Sequence, residues 1–126
     1  LIEEELFEFL KENYYPDLVK AKSQMSKWDC YSPEKYHRIE LKCRKTHYEE
    51  LMIEKKKYDS MIDKCDDNLD IPYYINSTPE GVYRWNLYKV EPIWFVKKIK
   101  ATTEFANSNL IDKEIAMLEV IDAETL

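Results

Sequence analysis

Along residues 36–44 apolar and charged side chains alternate. Ile39, Leu41 and Cys43 fall on one face of a strand, and Arg38, Glu40, Lys42 and Arg44 on the other. The start of the chain has a different period. Ile2, Leu6, Phe9 and Leu10 recur at helical spacing, which predicts a helix over 1–13 that Tyr14-Tyr15-Pro16 ends. Residues 18–24 and 26–31 predict strands, the second joined to 36–44 by a turn at Ser32-Pro33-Glu34-Lys35. Tyr48, Leu51, Met52, Tyr58, Met61, Ile62 and Cys65 make one stripe and predict a helix over 47–65, closed by Asp66-Asp67-Asn68. Further strands are predicted at 71–76 and 82–90, around the turn Thr78-Pro79-Glu80-Gly81, and at 93–100; residues 113–121 fit helix or strand. The order is helix, three strands, helix, strands, which predicts one α/β or α+β domain over 1–126, built on a mixed sheet.

Composition narrows the function classes. The single glycine, Gly81, leaves no room for a phosphate-cradling glycine-rich loop. Three cysteines without C-x-x-C spacing predict free thiols in a reducing, cytoplasmic setting, and no zinc site. No apolar run is long enough to cross a bilayer and the acidic opening does not read as a signal peptide, so no membrane partner is expected. A net charge of −6 argues against coating nucleic acid by charge alone. Base nevertheless collects at Lys42, Arg44 and Lys45, at Lys55 to Lys57, and at Lys97, Lys98 and Lys100, so a local basic surface is compatible with a nucleic-acid substrate.

The hairpin gives the alternating strand its chemical interest. With residues 32–35 as the loop, Tyr31 faces Tyr36 and Asp29 faces Arg38. Asp29 then shares a face with Glu40 and Lys42 and is a diagonal neighbour of Glu40, roughly 7–8 Å away. A slip of one residue would move Asp29 to the opposite face. Two such carboxylates can converge on a hard divalent ion such as Mg²⁺, which takes one or two carboxylates and keeps several waters. The ion lowers the pKa of a bound water, and a neighbouring lysine can orient that water and offset developing charge. Two acids and a base on adjacent strands meet the needs of phosphodiester hydrolysis.

With Asp29 on one strand and Glu40-Leu41-Lys42 on the next, the chain resembles the PD-(D/E)XK nuclease superfamily, over about residues 1–90. The resemblance implies a restriction-endonuclease-like fold and Mg²⁺- or Mn²⁺-dependent cleavage of DNA, of the kind found in small repair, recombination and phage nucleases. It implies Asp29, Glu40 and Lys42 as catalytic residues, the Leu41 backbone carbonyl as a metal ligand beside the two acids, and Glu3 of the first helix as an extra one. It also assigns substrate contacts to Arg44, Glu54, Lys55, Lys57 and Tyr58, and a homodimer by analogy. Trp28 stands where the name-giving proline would be. A literal Pro-Asp occurs at Pro16-Asp17, but the hairpin favours Asp29. His37 is expected to project to the Leu41 side, away from the site, and His47 to begin the second helix. The alternatives are a catalytically inactive nucleic-acid-binding module on the same fold, or an acidic interaction protein whose charged strand is merely solvated.

Overall fold

A computed structural model describes residues 1–21, 29–100 and 109–126. Helix α1 spans Glu3–Asn13, followed by β1 (Val19–Lys20), β2 (Asp29–Ser32), β3 (His37–Cys43) and β4 (Glu50–Glu54). Helix α2 (Lys55–Asn68) leads into β5 (Ile71–Thr78), β6 (Gly81–Asn86), β7 (Phe95–Lys100) and β8 (Leu110–Glu119). A 3₁₀ turn (Val120–Asp122) and β9 (Glu124–Thr125) complete the chain. The expected strand residues 22–28, Trp28 among them, lie outside the described residues.

The strands form a six-stranded sheet in the order β1-β2-β3-β5-β6-β9 and a three-stranded sheet β4-β8-β7. Within the larger sheet β3 and β5 are parallel and the other neighbours antiparallel, so β4 and α2 make the crossover between β3 and β5. Its two faces are covered by different layers. Leu6, Phe7 and Leu10 of α1 pack with Cys30, Ile39, Leu41, Tyr73 and Ile75 on one side. On the other, Tyr74, Tyr83 and Trp85 pack with Leu51 and Ile53 of β4, Met61 of α2, and Ala116 and Leu118 of β8. Alternation along β3 therefore sends Ile39 and Leu41 toward α1 and Glu40 toward α2.

Glu3, Glu4 and Glu5 lie at the positive end of the α1 dipole, and the Glu5 carboxylate accepts the Ile2 N–H at 2.9 Å. Helix α2 ends at Leu69, which is left-handed (φ 59°), 85% exposed and donates its N–H to the Cys65 carbonyl.

Four expectations are corrected. Residues 50–54, placed in the second helix, are the strand β4: Leu51 and Ile53 point inward and pair with Leu118 and Ala116 of β8. A partner edge supplied from far along the chain overrides a spacing that also fits a helix. His47 consequently precedes a strand, with Nδ1 2.9 Å from Thr78 Oγ1. Residues 113–121, ambiguous in sequence, are mostly strand, and β6 stops at Asn86, where the Leu87 N–H turns back to the Pro72 carbonyl at 2.8 Å. The hairpin register also differs. Ser32 pairs with His37, so the loop is residues 33–36, with Tyr36 left-handed at φ 59°.

Ile53→Ala should cost about 2–5 kcal/mol in urea denaturation, because it opens a cavity between the sheets. Met52→Ala, on the outer side of β4, should cost about 1 kcal/mol or less. A helix over 47–65 with Met52 on its buried stripe would reverse that order.

Candidate active site

The register brings Asp29 directly opposite Glu40 rather than diagonal to it. The two-residue slip preserves strand parity, so both acids still share the face covered by α2. Both are buried, each 5% exposed. Two buried carboxyls side by side resist double ionisation. Burial raises the Glu40 pKa to about 7, helped by the hydrogen bond that the protonated Glu40 donates to Asp29 and by repulsion from the Asp29 charge, and opposed by Lys57.

Helix α2 supplies counter-charge. Lys57 Nζ donates to Glu40 Oε1 at 2.7 Å and Lys64 Nζ to Asp29 Oδ2 at 3.3 Å. Burial alone would depress Lys57; the Glu40 carboxylate more than compensates and its net shift is upward. Lys57 was expected to reach phosphate, whereas Lys64 escaped the sequence reading. Its signal was there: Lys57, Met61 and Lys64 recur on one helix face, a polar–apolar–polar stripe over a buried contact. The first turn of α2 is Lys55-Lys56-Lys57 with no acid. Cations at the positive end of a helix dipole cost stability, and the same arrangement attracts anions.

Lys42 lies two residues beyond Glu40 on the same strand face, half-buried. Burial lowers its pKa first, then repulsion from Arg44 and Lys57; Glu3 and Glu54 oppose the shift. Glu3, expected as a ligand, is half-buried at the start of α1 and is felt by Lys42 and Cys43. Among the described residues no cluster of three metal-ligating side chains forms.

The other expected substrate residues are already engaged. Arg44 Nε donates to Asn76 Oδ1 at 2.8 Å and its Nη2 to the Met52 carbonyl at 2.5 Å, where the Tyr74 hydroxyl also donates at 3.1 Å. Arg44 thus ties β4 to the large sheet. Lys113 Nζ lies 2.7 Å from Glu54 Oε1, Lys55 Nζ 2.7 Å from Asp59 Oδ2, and Tyr58 stands edge-on to Trp94. Asp17, the alternative first acid, accepts from Ser32 Oγ at 2.8 Å and from the Glu34 N–H at 2.9 Å. It braces the β2–β3 turn, away from Glu40. His37 faces the α1 side as expected, its Nδ1 2.9 Å from the Tyr15 hydroxyl, and burial lowers its pKa to about 4.

The acid pair lies in a cleft of about 840 Å³ walled by Lys55, Lys56 and Lys64 of α2 and by Ile111 and Lys113 of β8. A divalent ion fits the residues present. Asp29 Oδ1 is buried without a hydrogen-bond partner, and Glu40 holds a proton that an ion would displace. Two carboxylates are the usual protein share of a Mg²⁺ shell.

No protein-family model matches the chain, and no curated protein matches it. Among solved structures it is similar to Archaeoglobus fulgidus Hjc, a Holliday junction resolvase from an archaeal hyperthermophile. The TM-score is 0.55 with 13% identity, over 94% of this chain and 88% of that one. The central mixed sheet flanked by helices is a restriction-endonuclease-like fold.

The proton on Glu40 has a thermodynamic signature. Its folded pKa exceeds the unfolded value, so the folded state binds more protons between about pH 4.5 and 7. The contribution is fully present below that window and is lost as pH rises through it. In EDTA, thermal denaturation over pH 5–8 should show wild type losing stability relative to Glu40→Gln, with the variant ahead by about 1–3 kcal/mol at pH 8. A difference independent of pH would show that Glu40 ionises normally.

Proposed function

We propose that this chain is a metal-dependent nuclease that hydrolyses DNA phosphodiester bonds at Asp29, Glu40 and Lys42. The carrying observation is the buried, directly opposed Asp29–Glu40 pair with Lys42 next along the same strand face. The likeness to a resolvase supports the same reading.

Asp29 and Glu40 would hold Mg²⁺ or Mn²⁺, with the Leu41 carbonyl as a backbone donor beside them. Such an ion supplies charge to a phosphoryl oxygen and acidity to a water. Both acids would hold the ion as carboxylates, Glu40 without its proton. Lys57 and Lys64, which now neutralise them, would then be available to the phosphate backbone. Lys42 orients the attacking water and offsets charge in the transition state; the lowered pKa of its ammonium suits a group that works close to a water. Glu3 and Glu54 partly offset that lowering. Helix α2 presents its N-terminal lysines to the scissile strand. A homodimer would provide two such centres for two strands.

Asp29→Ala and Glu40→Ala should each abolish Mn²⁺-dependent cleavage of single-stranded, duplex and branched DNA while the protein stays folded. Lys42→Ala should lower kcat by about 10²–10³-fold with metal affinity, read by calorimetry, intact or improved. Lys42→Arg should not restore it, because a planar guanidinium cannot replace a compact ammonium. Near wild-type turnover in Lys42→Ala at saturating metal would remove that residue from the mechanism. An Asp17→Ala variant that loses cleavage while Asp29→Ala keeps it would overturn the choice of acids.

Mn²⁺ titrations add a second test. Binding should strengthen from pH 5.5 to 7.5 and release about one proton near pH 6, detected by comparing buffers of different ionisation enthalpy. Glu40→Gln should lose that release.

A further inference from the structure

A second cavity, of about 370 Å³, opens beside Lys42, and its walls are basic. Lys42, Arg44 and Lys45 from the end of β3 meet Lys97 from β7, with Tyr48 beside them. The chain as a whole carries −6, yet here four cations stand against one acid, Glu50. The Glu50 carboxyl is turned to its cross-strand neighbour Glu119, with which it shares a hydrogen bond. Among the described residues none of Lys42, Lys45 and Lys97 has an ion-pair partner. Arg44 has its Nε and Nη2 committed within the protein and contributes charge.

Unpaired converging lysines cost free energy unless an anion joins them. Adjoining it, across Glu50 and Met117, is an acidic flank. There a cavity of about 930 Å³ is lined by Glu50, Glu91, Glu119, Asp122 and Glu124 against Lys89 and Arg84, the arginine already paired to Glu124 at 2.7 Å. A polyanion is drawn to the basic pocket and repelled from the acidic one beside it.

We propose that the pocket at Lys45 and Lys97 is a second phosphate subsite, which takes a backbone phosphate of a nucleic-acid strand whose scissile phosphate lies at Asp29 and Glu40. Lys42 stands between the two, about 7 Å along β3 from Glu40. The bound strand runs from the acid cleft over Lys42 into the basic pocket, and Tyr48, 64% exposed at its rim, is placed to stack on a base. Lys45 and Lys97 are binding residues that fix the register of the strand. The inference rests on the nuclease reading above and adds the direction of its substrate.

The test separates the two. Fluorescence anisotropy with a short fluorescein-labelled single-stranded DNA, in EDTA and over a range of KCl, reads binding without turnover. Lys45→Ala/Lys97→Ala should weaken binding tenfold or more at low salt. The slope of log affinity against log salt should fall by about 1.4, the value for two lost phosphate contacts on a single strand. Lys45→Arg/Lys97→Arg should keep both, and Lys89→Ala, on the acidic flank, should change neither. Both lysines are exposed, and an unchanged melting temperature checks that the double variant is folded. If wild type binds and cleaves with Mn²⁺ and the double variant matches it in affinity and slope, the subsite is wrong and the nuclease reading stands. If wild type neither binds nor cleaves DNA, the nuclease reading fails and the subsite falls with it.

Discussion

Two carboxyls buried face to face on paired strands cannot both be charged without a cation at hand. Everything around Asp29 and Glu40 answers that constraint. The β2–β3 pairing sets them opposite one another, Glu40 holds a proton up to about pH 7, and α2 lays Lys57 and Lys64 against them from the layer above. Replacing the pair by apolar residues would make an easier core. In the proposed function that cost has a return, because a divalent ion would take over the role of proton and lysines.

The site depends on the fold through a division of labour along β3. One side of the strand buries Ile39 and Leu41 under α1 and holds the sheet together, while the other carries the charged groups. Arg44 and Tyr74, converging on the Met52 carbonyl, fix β4 against the large sheet. Since β4 runs directly into α2, the same lock sets where the helix starts and so where its lysines fall. The broken helix rule at that start, cations where acids are favoured, marks a place where local stability yields to function.

Much of this was legible in the sequence, and the failures have identifiable causes. The alternation over β3 was strong, and parity protected the acid pair from an error in the turn: a slip of two residues moved Asp29 from diagonal to opposite without changing its face. Nothing in Pro33 to Tyr36 announced that Tyr36 would take the left-handed conformation that closes the loop. Strand β4 was hidden because Leu51 fits a helical stripe and a strand equally well; the deciding partner, β8, lies some sixty residues away. Lys64 shares a helix face with Lys57 and Met61 in the sequence, but that spacing does not say which strand the face covers; its partner Asp29 is fixed only by the docking of α2 over β2. Substrate roles for Arg44, Glu54, Lys55 and Tyr58 came with the resemblance alone, and each of these side chains also contacts a neighbour within the protein, Lys55 through a surface pair with Asp59.

The C-terminus of α2 has a practical use. Leu69 holds a left-handed conformation that favours glycine or asparagine and exposes most of its side chain to water. An asparagine there would relieve backbone strain and remove a greasy surface residue without touching either carboxylate or its lysines. Helix α2 carries both counter-charges of the acid pair, so firming its far end gives a sturdier background in which disabling substitutions can be compared without loss of solubility.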